Sequence, residues 1–128
     1  MSHFSRIQTQ LTEQTLLLKA LQDLGCKVNV GNGILRAIGG FSRVNAEIVA
    51  NLPGSGRLIG FVRQGAHYAI VADWWGVSNS KREEFTSKLT QRYAYHAALD
   101  KLQEQGFTIA HEETSQDGQV HLTLRRMA

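Results

Sequence analysis

One cysteine, Cys26, stands among 128 residues. A lone cysteine closes no internal disulfide, so nothing in the sequence points to an oxidising compartment. No run approaches the roughly 18 consecutive apolar residues that a membrane span needs. The opening residues Met1 to Arg6 lack the apolar centre of a signal peptide. Together these absences lead to the expectation of a cytoplasmic protein or its organelle equivalent. Charge of one sign is also scarce. Fourteen Lys+Arg against eleven Asp+Glu leave +3, which permits an acidic partner without demanding one. Dedicated nucleic-acid binders gather more cations on one face. What remains is ordinary for a globular chain, with 42% hydrophobic and 20% charged residues. This length fits one domain, 1–128, able to bury roughly 65–70% of its unfolded surface without staples.

Leu17, Leu21 and Leu24 recur at i, i+4 and i+7, so the spacing predicts a helix over 12–24, with Thr12 as cap and Gly25 as stop. Strand patterns follow at Cys26 to Val30, Ile34 to Phe41 and Val44 to Leu52. Gly31-Asn32-Gly33 reads as a turn between the first two, Gly39-Gly40 as a bend or bulge, and Pro53-Gly54-Ser55-Gly56 as a surface loop. Arg57 to Arg63 and His67 to Asp73 read as a hairpin. A loop at Gln64-Gly65 would set Phe61 opposite Tyr68 and Ile59 opposite Ile70 on one apolar face. A second helix is expected from about Lys81 to Gln105, with Ser80 and Glu83 at capping-box spacing and Gly106 as stop. The last hairpin turns at Asp117-Gly118 and would place Ile109, His111, Leu122 and Leu124 on its apolar face. The sequence Leu21 to Cys26 is echoed by Leu102 to Phe107; both read as helix, glycine stop, strand. This order predicts an α+β fold, an antiparallel sheet with two helices packed on one face.

Arg92 and His96 fall inside the apolar stripe that Phe85, Leu89, Leu99 and Leu102 define on the second helix, with Tyr95 at its edge. A guanidinium there needs a carboxylate opposite, and Asp73 and Glu47 are the candidates. One reading makes Arg92, His96, Tyr95 and Asp73 a binding pocket; the other makes them ties between helix and sheet. In Asp73-Trp74-Trp75-Gly76, adjacent tryptophans at a strand end cannot both face one core, so one is expected at the surface as a contact residue. Five histidines are scattered without metal-ligand spacing, so no metal is expected. Neither short Gly-rich stretch is followed by the Gly-Lys-Ser/Thr of a phosphate loop, and the sequence names no cofactor.

Met-Ser-His-Phe-Ser at the start, Tyr-Ala-Ile-Val-Ala-Asp at 68–73 and Thr-Gln-Arg-Tyr-Ala-Tyr-His at 90–96 resemble the conserved hypothetical chloroplast reading frame thirty-five proteins of cyanobacteria and red-lineage plastids. Gln105-Gly106-Phe107 and the Asp117-Gly118 hairpin fit the same pattern, and the likeness is loosest from Gly31 to Gly60. The resemblance implies a cyanobacterial cytoplasmic or plastid-stromal protein, implies no activity, and ties the chain to photosynthesis only through that lineage.

Three functions follow as expectations. The leading one is a non-enzymatic accessory domain that meets another protein through Trp74, Trp75 and a basic sheet edge. The second is a small-molecule or cofactor domain, and so an enzyme in one version, built on Arg92, His96, Tyr95 and Asp73. The third is RNA binding, disfavoured because Phe61 and Tyr68 belong to the core face and no RNP-like run exists. A homodimer through a strand edge or the tryptophans is compatible with all three.

Overall fold

The computed structural model describes residues 4–36 and 43–127. Its elements are β1 (Ser5–Gln8), α1 (Gln14–Asp23), β2 (Val28–Arg36), β3 (Arg43–Asn51), β4 (Leu58–Gln64), β5 (His67–Ala72), α2 (Asn79–Glu104), β6 (Phe107–Thr114) and β7 (Val120–Arg126). The class is α+β, and among the described residues every strand pair is antiparallel. Five strands form one sheet in the order β1-β5-β4-β3-β2, while β6 and β7 form a sheet of their own. The chain divides into two compact units at Tyr93/Ala94, inside α2.

In the first unit, α1 buries Leu16, Leu17, Ala20 and Leu21 and leaves its polar side to water. Gly25, at φ +80°, closes it. Its amide donates to Gln22 O at 3.0 Å, and Cys26 N to Leu21 O at 3.1 Å, the paired bonds of a Schellman end. At the other end the expected cap is absent. Glu13, not Thr12, is the N-cap, and its side chain makes no capping bond. The core joins Leu17, Ala20 and Leu21 of α1, Phe85 and Leu89 of α2, and Ile48, Ala50, Ile59, Phe61, Tyr68, Ile70 and Ala72 of the sheet. Both helices thus supply side chains to one sheet face, each fully buried aliphatic residue contributing about 1.5–3 kcal/mol. On the opposite face Leu35, Ala46 and Val49 form a smaller cluster. It exists because Gly60 has no side chain: a Cβ there would lie 2.9 Å from Ala46 Cβ and closer still to Leu35 Cδ1.

Several local expectations are corrected. Gly31-Asn32-Gly33 does not separate two strands; it lies inside β2, where the register with β3 shifts between Val30 and Gly33, as a bulge does. The strand expected at Ile34 to Phe41 is described only to Arg36, and Gly39-Gly40 lies outside the described residues. The β4–β5 hairpin turns at Gly65-Ala66, pairing Phe61 with Ile70 and Arg63 with Tyr68. The slip from the expected register is two residues, an even number, so the apolar face keeps its members. Gly65, at φ +64°, occupies the first central position, where a type II′ turn calls for glycine. A strand, β1, precedes α1 and pairs with β5. Helix α2 begins two residues early: Ser78 Oγ, rather than Ser80, accepts the Lys81 amide at 3.2 Å.

In the second unit, Gly106 ends α2 as Gly25 ends α1, its amide donating to Gln103 O at 3.0 Å. The β6–β7 register shifts between Ile109 and His111. One extra residue exchanges the faces beyond it. His111 therefore pairs with Thr123 and Glu112 with Leu122, and His111 stands exposed beside Glu113 rather than among the leucines.

Candidate functional site

Arg92 does meet a carboxylate, but a different one from those expected. Its Nε donates to Asp23 Oδ2 at 2.9 Å, with both side chains about one-third exposed or less. Asp23 is the last residue of α1, where free carbonyls concentrate partial negative charge. The guanidinium offsets a carboxylate that is poorly placed on its own helix. The next residue, Tyr93, holds the other end of α1. Its hydroxyl oxygen accepts the amides of Thr12 at 3.1 Å and Glu13 at 2.9 Å. Two adjacent α2 residues thus grip both ends of α1, and the missing cap is supplied from a position 80 residues away.

Glu47, the other carboxylate candidate, serves Tyr68. The Tyr68 hydroxyl donates to Glu47 Oε2 and accepts from Arg63 Nη2 at 2.7 Å. Arg63 Nη1 donates to Thr12 O at 3.0 Å, and the guanidinium lies 4.3 Å from the centre of the Tyr68 ring. Burial first, and the Glu47 carboxylate second, push the Tyr68 hydroxyl up to about 12. Phe61 and Tyr68 are both fully buried, so neither offers a ring face to a nucleic-acid base.

Asp73, the residue after β5, is buried. Its Oδ1 accepts the Trp75 amide at 3.0 Å, and Arg57 Nη1 donates to its carbonyl at 3.2 Å. Arg57 Nη2 also donates to the Trp75 carbonyl. The tryptophans part company here. Trp74 packs in the core, its indole N–H without a partner among the described residues, while Trp75 is 60% exposed. Leu58, beside Arg57, is exposed too. At this end of the sheet a cleft of about 260 Å³ opens between Leu24, the loop Leu52 to Ser55 and the α2 residues Lys81, Glu84, Phe85 and Lys88.

In the second unit the Tyr95 hydroxyl donates to Glu112 Oε2 at 3.1 Å, and the Tyr95 and His96 rings meet edge-on with centroids 5.0 Å apart. Of the four residues read as a pocket, Tyr95 and His96 are thus in contact, Arg92 is joined to Asp23, and Asp73 shapes the Trp75 turn. Sequence reasoning missed Asp23, Tyr93 and Arg57. Tyr93 carried a signal in its place within the 90–96 run; Asp23 and Arg57 carried none. Among the described residues no group of three or more His, Cys, Asp or Glu is placed to hold a metal, and no helix is long and apolar enough to cross a membrane.

These features define a small α+β protein whose polar side chains tie its first helix to its second and pin an exposed tryptophan. The chain belongs to the family described as "Protein of unknown function (DUF1257)", whose pattern matches residues 20–123. It is 36% identical over 132 residues to the "Uncharacterized protein ycf35" of Guillardia theta, with 98% of each chain covered. Proteins of the same name from Pyropia yezoensis and Cyanophora paradoxa are each 30% identical, again with 98% of both chains covered. No solved structure matches the chain.

Proposed function

We propose that this protein is a non-enzymatic interaction domain and that its contact surface is the sheet end around Trp75 and Leu58. The observation that carries the reading is the way Trp75 is held. Its side chain is 60% exposed, yet its backbone is fixed on both sides, by Asp73 at the amide and by Arg57 at the carbonyl. A large exposed side chain carried on a backbone already held in place spares the cost of ordering the chain on binding and makes an efficient anchor. Arg57 adds positive charge beside it, which suits an acidic partner surface.

The setting is the cyanobacterial cytoplasm or plastid stroma, supported by relatives that carry a plastid reading-frame name. Their lineage makes photosynthetic cells the place to look for the partner. The test is a photo-crosslinking amino acid at position 75, compared with one at the exposed Lys19 of α1, in native extract of such cells. A discrete adduct from position 75 that position 19 does not give is the expected result. The same adducts from both positions, or none from position 75, would overturn the reading.

A further inference from the structure

We infer that the cleft between the end of α1, the β3–β4 loop and the opening turns of α2 is a binding site for a small amphipathic anion, an alkyl or aryl carboxylate free in solution. The inference does not depend on the contact surface at Trp75. The floor is apolar and belongs to the core: Phe85 and Leu52 are buried, and Leu24 is half-buried beside them. One wall is the loop Pro53 to Ser55, pinned by the Ser55 amide and hydroxyl, which both donate to Leu52 O at 3.3 and 3.2 Å. The other wall is α2. Lys81 and Lys88 are seven residues apart and line the same cleft, with Glu84 between them. At about 260 Å³ the space lies just below the usual range of ligand pockets, so the ligand is small.

Two ammonium groups against one carboxylate leave the rim positive, and its Lys81 end stands in the first turn of a 26-residue helix, where the helix field favours negative charge. An apolar tail would remove Phe85, Leu52 and Leu24 from water. The anionic head would lie between the lysines, whose methylene stems extend the apolar wall. A neutral ligand would gain only the first of these contributions, and a cationic one would meet repulsion. Glu84 sharpens the assignment. Its Oε1 lies 2.8 Å from Lys88 Nζ, so its carboxylate already stands where the ligand's head would stand. It is a resident competitor, and removing its charge frees Lys88 for the ligand.

The test is titration of the ¹⁵N-labelled full chain with sodium octanoate below its micellar concentration, with octyltrimethylammonium as the charge-reversed control. Expected are saturable shifts at Leu24, residues 52–55 and residues 81–88, absent with the ammonium amphiphile. Lys81→Ala should weaken octanoate by about threefold or more, and Glu84→Gln should tighten it by about twofold or more, in the range of exposed ion pairs. Both substitutions are at exposed positions and leave the core untouched. Equal binding of the ammonium amphiphile, no saturable shift with octanoate, or a Glu84→Gln variant that binds no tighter would overturn the assignment. So would co-sedimentation with phosphatidylglycerol vesicles that octanoate reverses, because the site would then serve a lipid surface.

Discussion

Tyr93 and Arg92 hold the same helix with different chemistry, and their removal should differ accordingly. Tyr93→Phe leaves the Thr12 and Glu13 amides without the acceptor they have now, and Glu13 offers no side-chain cap in its place. The expected loss is about 1–2 kcal/mol in urea unfolding. Arg92→Ala should cost less, about 0.5–1 kcal/mol, because both partners are partly solvated. A double-mutant cycle with Asp23→Ala should return a favourable coupling for this pair. Tyr68 gives a prediction in pH. Its folded-state value is raised to about 12 from the ordinary phenol value of 10.0, so the folded state favours the neutral phenol. Its contribution to stability is complete below about pH 10, where neither state ionises, and is lost as pH rises to about 12. Far-ultraviolet dichroism should show base-induced loss of structure in that window, and Tyr68→Phe should flatten its pH dependence.

Among the elements, the β2–β3 layer rests on an absent side chain. Gly60→Ala would drive a methyl group against Leu35 and Ala46, and its φ is not in the left-handed region, so the damage is from packing alone. An overpacked site of this kind costs about 1–3 kcal/mol, measurable as a lower urea midpoint at unchanged slope. Elements also show which parts of the fold could be read in advance. The helix ends were legible because Gly25 and Gly106 mark them locally. Strand β1 was not: Ser5-Arg6-Ile7-Gln8 has one apolar residue, and it is a strand because β5 offers it an edge. Alternation revealed which residues of β4 and β5 share a face but not their register, since a slip of two leaves the pattern unchanged. The bulge between Ile109 and His111 broke parity and moved His111 to the wet face. The same limit applied to the site. The stripe on α2 showed that Arg92 needs a carboxylate, yet no local pattern singles out Asp23, 69 residues away.

At the scale of the whole molecule, burial is concentrated before Tyr93. Every described residue from Ala94 onward is at least partly exposed, whereas Leu17, Leu21, Ile48, Ile59, Phe61, Ile70 and Leu89 are fully buried. Local opening is easiest where few apolar groups are sealed from water. Native-state hydrogen exchange should therefore show the slowest amides in α1, β4 and β5, and amides of β6 and β7 exchanging orders of magnitude faster.

The separation of Trp74 from Trp75 gives the protein two optical reporters in adjacent residues. Trp74, sealed in the core, should fluoresce at short wavelength and ignore iodide. Trp75, mostly in water, should emit to the red and be quenched readily. Trp75→Phe leaves a probe of unfolding, and Trp74→Phe, where tolerated, leaves one at the proposed contact surface. Protection of that second emission from iodide would record occupancy of this sheet end without any added label.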